Sequence, residues 1–257
     1  MPTPDRRHRH HRHRSVKPAG PALADFPGTI CSNCGKPDSL CVCAGATPVA
    51  NRIAVLILQH PQEQDKLLGS AALATRLLAQ AELRVGLSWP SLAKALGPLA
   101  ERGVTTDPKR WAALHLGAAH ADALPSGRPL VALDGKGQPL ADQEQALKGI
   151  AGIVLFDGTW SQAKTLWWRN PWVLKLRRLV LAPAQPSRYG ALRREPRREG
   201  LSTLEAAGLT LARLEGRPEI EEALGAGFEA MLAKYRAASR ALRASRNPGH
   251  NRETERA

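Results

Sequence analysis

Apolar and polar stretches alternate along the chain in a way that predicts strands and helices in turn. Short apolar runs, rich in β-branched residues, indicate strands at 53–58, 83–87, 111–116, 129–133, 152–156 and 176–181. Apolar positions at helical spacing indicate helices at 67–81, 141–149, 160–170, from 203 onwards and at 219–235. This alternation predicts an α/β fold with a mostly parallel sheet in a three-layer core.

The pattern also divides the chain into four parts. The main α/β domain is predicted to span 51–236, and a small segment at 27–50 holds all four cysteines. Residues 1–26 include a basic, low-complexity block without hydrophobic periodicity, so we expect a disordered arm. Residues 237–257 are basic again and are expected to form a frayed tail.

The charge balance favours a polyanionic partner. The chain has 37 Lys and Arg against 23 Asp and Glu, a net charge of +14, and a sequence pI of about 10.4. Nucleic acid is the first candidate partner. The N-terminal arm fits either a phosphate-binding element or a solvated tail or tag. No apolar stretch reaches the roughly 18 residues that span a bilayer, and no apolar core of a secretory signal follows the basic start. We therefore expect a cytoplasmic protein.

The cysteines follow the pattern Cys31-x2-Cys34-x6-Cys41-x-Cys43. Two close pairs, with Gly35 after the first, suit four thiolates that converge on a tetrahedral zinc ion. The alternatives are two disulfides or a set of unrelated buried thiols. In a chain without a secretion signal the thiols stay reduced, which favours zinc. Four thiolates leave no open coordination position, so the predicted zinc is structural.

An acidic residue follows one of the predicted strands. Asp157 comes directly after the apolar run 152–156, and Thr159 with Gln162 has the signature of a capping box that begins a helix at Trp160. Ligand crevices of open α/β sheets lie at the carboxyl ends of strands, so Asp157 is a candidate site residue. Trp160 is expected to stack on a base, or else to pack in the core with Trp167 and Trp168.

A second strand ends in the polar segment His60-Pro61-x-Glu63. His60 on its own fits a hydrogen-bonded loop histidine as well as a functional one. Further along, Ser202 and Glu205 have the signature of another capping box, at the start of a helix next to an arginine-rich loop. This arrangement fits an anion site or an ordinary well-capped helix. The arginines expected to contact the phosphates of a nucleic-acid partner are Arg188, Arg193, Arg194, Arg197 and Arg198.

Taken in order, these motifs resemble those of the DTW-domain family, which is similar to tRNA-uridine aminocarboxypropyltransferases. The resemblance rests on the four cysteines, His60-Pro61-x-Glu63, Asp157-x-Thr159-Trp160 and Ser202-Thr203-x-Glu205-Ala206, and it covers roughly Cys31 to Tyr235. It implies a SPOUT-like core that binds S-adenosylmethionine. The implied reaction transfers the 3-amino-3-carboxypropyl group to N3 of a tRNA uridine and releases methylthioadenosine.

The resemblance also implies roles for individual residues. Catalytic roles fall on Asp157, Thr159 and Trp160. Residues implied to bind the cofactor are His60, Pro61, Glu63, Ser202, Thr203 and Glu205. Asp157 has two possible functions, as a general base for the N3 proton or as an anchor for the cofactor's ammonium group. The chain departs from the family at Gly69-Ser70, where many members have Asn-Thr.

Two other functions fit the same residues. One is a methyltransferase on a SPOUT-like core, which would release S-adenosylhomocysteine. The other is a non-catalytic, zinc-containing RNA-binding protein.

Overall fold

The structure is a computed structural model and describes residues 21–114, 128–192 and 200–246. Its strands form one six-stranded sheet, in the order β2-β1-β5-β3-β6-β4. All neighbouring strands are parallel except the edge pair β4 and β6. The strands are β1 Ala54–Gln59, β2 Ala81–Val85, β3 Trp111–Leu114, β4 Leu130–Leu133, β5 Gly152–Asp157 and β6 Arg177–Leu181. The predicted α/β class with a mostly parallel sheet is confirmed.

Helices cover both faces of the sheet. They are α1 Ala71–Leu77, α2 Leu92–Leu96, α3 Pro98–Glu101, α4 Gln143–Leu147, α5 Trp160–Arg169, α6 Thr203–Glu215 and α7 Pro218–Arg246. Alternate side chains of β1 show the layers: Val55 and Ile57 pack with α1, α6 and α7, whereas Leu56 and Leu58 pack with α2, α3 and α5. A strand buried on both faces needs a continuous apolar run, and β1 and β5 have one.

The first predicted helix and the strand after it have different bounds. The helix α1 begins at Ala71 and ends at Leu77, whereas the apolar spacing predicted 67–81. Leu67 and Leu68 lie in a loop before the helix, where their backbone carbonyls accept hydrogen bonds from side chains of distant segments. The strand β2 already begins at Ala81, two residues before the predicted start.

The predicted boundaries at both ends of the chain also need correction. Residues 21–26 were expected to be disordered, but they contain a 3-10 helix, Leu23–Asp25, and the buried Phe26, whose ring lies 6.2 Å from that of Tyr235. At the other end, α7 continues through the predicted tail as far as Arg246, which pairs with Asp25 at 2.5 Å. The rest of the arm, residues 1–20, and of the tail, residues 247–257, lies outside the described residues.

Within the described part of the chain, each helix is too short or too polar to cross a lipid bilayer.

Candidate active site

Two parallel strands bring the predicted site residues to one edge of the sheet. The central pair β1 and β5 are in register at their ends, with Gln59 opposite Asp157. The next residue, His60, donates its backbone N–H to the carbonyl of Asp157 at 3.0 Å. The His60 and Asp157 motifs, 97 positions apart in the chain, are therefore adjacent in space, at the carboxyl ends of neighbouring parallel strands.

Both oxygens of the Asp157 carboxylate are held by neighbours. Gln59 donates its side-chain amide to Oδ2 at 2.8 Å. Thr203, the first residue of α6, donates its hydroxyl to Oδ1. Asp157 is half-buried, and each oxygen keeps a lone pair beyond these two bonds. The carboxylate is thus fixed in orientation and can still accept a further donor from a ligand.

The turn after Asp157 is tightly packed. A Cβ at Gly158 would lie 2.9 Å from Cβ of Gln162 and 3.5 Å from that of His60, so a larger residue would push these two apart. Thr159 forms the predicted capping box: its backbone N–H donates to Oε1 of Gln162 at 2.6 Å, and its hydroxyl accepts from the Gln162 amide at 3.4 Å. The box begins α5 at Trp160, as predicted.

The His60 segment forms a single turn that docks on the α5 cap. His60 caps the 3-10 helix Pro61–Glu63 by accepting from the Gln62 amide on Nδ1, at 3.3 Å. In a neutral ring this places the hydrogen on Nε2. Gln62 accepts in turn from the side chain of Gln162 at 3.0 Å. Glu63 is only 6% exposed, and its Oε1 has no hydrogen-bond partner among the described residues.

The predicted capping box at α6 is present and is buried. Ser202 accepts from the Glu205 amide at 3.1 Å, and Glu205 accepts from the Ser202 amide at 2.9 Å. The Leu204 amide donates to the hydroxyl of Ser70 at 3.3 Å. Three of the four amides that open α6 therefore have acceptors in the protein, and among the described residues only that of Thr203 has none. An anion bound at this helix start would therefore have one amide to contact, that of Thr203, and not several.

Glu205 is itself engaged by the segment that carries the first predicted arginine. Ser187 donates its hydroxyl to Oε2 at 2.6 Å, and the Arg188 amide donates to Oε1 at 2.8 Å. The guanidinium of Arg188 lies 4.0 Å from Glu205 and 3.1 Å from the exposed Glu229. Arg188 is thus an ion-pair partner as well as an RNA candidate. Arg193, Arg194, Arg197 and Arg198 lie outside the described residues.

The tryptophans of α5 divide between core and surface. Trp167 is buried and its ring lies 5.5 Å from that of Phe156, as core packing predicts. Trp168 was expected in the core too, but it is 70% exposed. Trp160 is 37% exposed, and the Lys164 ammonium lies 5.4 Å from the centre of its ring. Trp160, Lys164 and Trp168 follow each other at intervals of four, so they lie on one helix face.

The four cysteines converge, as their spacing predicted. All are free thiols, and their sulfurs lie within 4.8 Å of one another, with 3.7 Å between those of Cys34 and Cys41. A disulfide would need a separation of about 2.05 Å. Zinc with four sulfur ligands at about 2.3 Å places the sulfurs about 3.8 Å apart, so the observed spacing fits a tetrahedral metal site.

Backbone amides contact the sulfurs. The amides of Asn33 and Cys34 hydrogen-bond the sulfur of Cys31 and lower the pKa of its thiol to about 7. The Cys43 amide donates to the sulfur of Cys41 at 3.3 Å. Burial raises the pKa of the Cys34 and Cys43 thiols. A bound cation offsets this cost, because it stabilises the thiolate form.

Sequence reasoning assigned no role to three side chains that lie near this site. Gln59 is the polar last residue of an otherwise apolar strand, a signal that could have marked it as a site residue. Ser70 was noted only as a departure from a family pattern. Lys36 lies between the cysteine pairs and is buried, which no local pattern in the sequence indicates.

Comparisons with known proteins agree on one family. The family model described as DTW domain matches residues 28–236. The chain is 30% identical over 196 residues to the tRNA-uridine aminocarboxypropyltransferase 2 of Drosophila melanogaster, covering 76% of this chain and 70% of that protein. It is 26% identical to the protein of the same name from Macaca fascicularis and 25% identical to that from Mus musculus, in each case over 62% of the relative's length. No solved structure gives a significant match.

Proposed function

The chain belongs to the DTW domain family, and from this membership we propose that it transfers a 3-amino-3-carboxypropyl group from S-adenosylmethionine to N3 of a uridine in tRNA. The single observation that carries the proposal is the meeting of three family motifs at one sheet edge. Asp157, the Thr203 hydroxyl and the His60 turn are joined there by hydrogen bonds. The names of the relatives supply the reaction and the tRNA substrate.

The proposed reaction is a displacement at a carbon attached to a sulfonium. A bond forms between N3 and the terminal carbon of the aminocarboxypropyl group as the carbon–sulfur bond breaks. Sulfur keeps the electron pair and leaves as the neutral thioether of methylthioadenosine, and the N3 proton passes to a base or to water. Because the leaving group needs no protonation, the protein must chiefly align the nucleophile with the correct carbon. A rigidly held carboxylate such as Asp157 suits that task.

Asp157 can act in either of two ways, and they predict different kinetics. As an anchor for the ammonium of the methionine moiety it would select the aminocarboxypropyl carbon for attack. Its loss would then raise KM for S-adenosylmethionine as well as lower kcat. As a general base it would take the N3 proton, and its loss would lower kcat alone. The hydrogen bonds from Gln59 and Thr203 keep the carboxylate in place for both roles.

The exposed face of α5 supports RNA as the substrate. Trp160, Lys164 and Trp168 form a stripe that begins three residues after Asp157 and extends about 12 Å along the helix. Unpaired RNA bases stack on aromatic faces, and cations between them contact phosphates. The helix α5 has two cations, Lys164 and Arg169, and no acidic residue. We propose that nucleotides beside the target uridine follow this stripe.

We propose that zinc fills the cysteine cluster. Cys31, Cys34, Cys41 and Cys43 would supply all four ligands, so the ion would stabilise the fold of residues 27–50 and take no direct part in the transfer.

The test is transfer by the purified protein. Incubation with S-adenosylmethionine and unmodified tRNA should add the aminocarboxypropyl mass to uridine and release methylthioadenosine. S-adenosylhomocysteine in its place would identify a methyltransferase. The absence of any product across several tRNAs, with RNA binding retained, would identify a non-catalytic RNA-binding protein. Either result would overturn the proposal.

The matched variants are Asp157→Asn and Asp134→Asn. Both acids lie at the carboxyl end of a strand, Asp157 as the last residue of β5 and Asp134 as the residue after β4, but Asp134 closes a turn by accepting from the amides of Lys136 and Gln138. We expect Asp157→Asn to lower kcat/KM by about 10³-fold. Its tRNA affinity should change by less than about tenfold, or 1.4 kcal/mol. Asp134→Asn should keep wild-type turnover, and an equal loss in both variants would remove the role assigned to Asp157.

A further inference from the structure

A buried lysine in the cysteine segment has no role in the proposed reaction. Lys36 follows the first cysteine pair by two residues and is only 6% exposed. Burying an ammonium group costs several kcal/mol unless hydrogen bonds and nearby charges compensate. Its side chain extends out of the cysteine segment, and Nζ donates to the backbone carbonyls of Lys66 at 3.1 Å and Leu67 at 2.8 Å. Lys36 therefore joins the cysteine cluster to a loop of the main domain.

That loop, residues 66–70, has no regular structure and is held by side chains from elsewhere. Lys36 binds its first two carbonyls, and the hydroxyl of Tyr189 donates to the third, that of Leu68, at 2.6 Å. The loop ends at Ser70, which is buried and accepts the Leu204 amide. Leu204 is the neighbour of Thr203, the residue that donates to Asp157. A continuous set of contacts thus runs from the cysteines to the Asp157 carboxylate.

The charges around Lys36 fit a residue placed between two anionic centres. The thiolate forms of Cys34, Cys41 and Cys43 and the carboxylate of Asp157 all attract its ammonium group. Four thiolates around a divalent cation carry net negative charge, as does Asp157. The buried cation is therefore attracted by both centres as well as by the two carbonyls. A neutral residue of the same length would keep the packing and lose all of these interactions.

We propose that Lys36 is a positioning residue that couples the metal-filled cysteine cluster to the Asp157 site, through loop 66–70 and the start of α6. The catalytic consequence rests on the proposed function, but the structural coupling does not. Metal binding at the cysteines would order a loop that the metal does not touch, and so fix the amide of Leu204 and the hydroxyl of Thr203. The cluster would then have a second effect beyond the stability of its own segment.

Two other lysines provide matched controls. Lys234, on α7, also donates to backbone carbonyls of the cysteine segment, those of Asp38 and Cys41, but it is exposed and makes no hydrogen bond to loop 66–70 among the described residues. Lys66 lies in the loop with its side chain exposed. The variants Lys36→Met, Lys234→Met and Lys66→Met each remove one ammonium group. Only the first removes the link between the cluster and the loop.

The experiment measures metal content and amide hydrogen exchange in the zinc-loaded full chain. We expect Lys36→Met to keep its zinc and to exchange the Leu204 amide and the amides of the loop at least about tenfold faster. Lys234→Met and Lys66→Met should stay near wild type, and Lys36→Arg should restore protection. If transfer activity is present, kcat/KM should fall about tenfold in Lys36→Met alone.

Chelation of zinc from the wild-type chain gives a second readout, which is available even if Lys36→Met does not fold. It should speed exchange at Leu204 and at the loop as well as at residues 27–50. The proposal is overturned if exchange at Leu204 is unchanged in both the variant and the chelated protein. It is also overturned if all three lysine variants act alike. A protein without transfer activity that still shows the exchange pattern would refute the proposed function and leave the coupling intact.

Discussion

The helices α5 and α6 start in the same way in sequence and differently in the structure. Both begin with a hydroxyl residue followed three positions later by a side chain that returns the hydrogen bond, and both starts lie at the sheet edge that holds Asp157. The α5 box, Thr159 with Gln162, is exposed or half-buried, and among the described residues its one side-chain hydrogen bond to another segment goes to Gln62 of the His60 turn. The α6 box, Ser202 with Glu205, is buried beneath the Ser187 segment and loop 66–70.

The difference shows what a capping motif leaves undetermined. A helix N-terminus binds an anion when its amides are available. At α6 the chain supplies its own anion, because the Glu205 carboxylate occupies that position and three amides already have acceptors. The helix α6 is thereby held in place to present the Thr203 hydroxyl to Asp157. The implied cofactor-binding role of Ser202, Thr203 and Glu205 stays a prediction, with Thr203 as the residue best placed for it.

Among the substitutions that test this difference between the two boxes, Glu205→Gln is expected to change stability most. The carboxylate accepts from the Ser202 amide and the Ser187 hydroxyl on one oxygen, and from the Arg188 amide on the other. Whichever side the new NH₂ group takes, it meets an N–H donor and leaves an amide unpaired, either the buried one of Ser202 or the part-buried one of Arg188. We expect a loss of about 3 kcal/mol in the free energy of unfolding, measured by denaturant titration.

The control is Glu229→Gln, which removes the other carboxylate paired with Arg188. Glu229 is exposed, so this change should cost less than about 1 kcal/mol. Equal losses in the two variants would mean that the α6 box is no more important to the fold than a surface ion pair.

The next effect is that of Ser70→Ala. This change leaves the buried Leu204 amide without its acceptor and should lower the free energy of unfolding by about 1.5 kcal/mol. It should also speed hydrogen exchange at Leu204. Ser70→Thr keeps the hydroxyl that accepts the Leu204 amide, so it should stay close to wild type. Wild-type exchange at Leu204 in Ser70→Ala would show that this contact does not hold the start of α6.

Local sequence patterns correctly predicted much of the fold and part of the candidate site. The apolar runs 53–58 and 152–156 match β1 and β5 to within a residue, because a strand buried on both faces must be continuously apolar. The capping boxes at Thr159 and Ser202 were correctly located, since they involve only residues three apart. The cysteine cluster followed from spacing alone, as the converging sulfurs confirm.

The remaining features depend on which distant segments meet. That Gln59 lies opposite Asp157 follows from the pairing of β1 with β5, and the strand order is not encoded near either residue. The early start predicted for α1 was wrong because Lys36 and Tyr189 hold the carbonyls of the loop before it. Trp168 is a large apolar residue of the kind expected in a core, but it lies on the face of α5 that points away from the sheet.

The smallest effect is expected at the exposed box, in Gln162→Ala. Its side chain accepts from the Thr159 amide and donates to Gln62, and water can replace both partners. The free energy of unfolding should therefore fall by only about 0.5 kcal/mol. A double-mutant cycle with Gln62→Ala measures the energy of the hydrogen bond between the two glutamine side chains, which joins the His60 turn to α5. We expect a coupling energy of about 0.5 kcal/mol. If Gln162→Ala lowered the free energy of unfolding as much as Glu205→Gln, the two capping boxes would contribute equally to stability, and the difference between the exposed and the buried box would be contradicted.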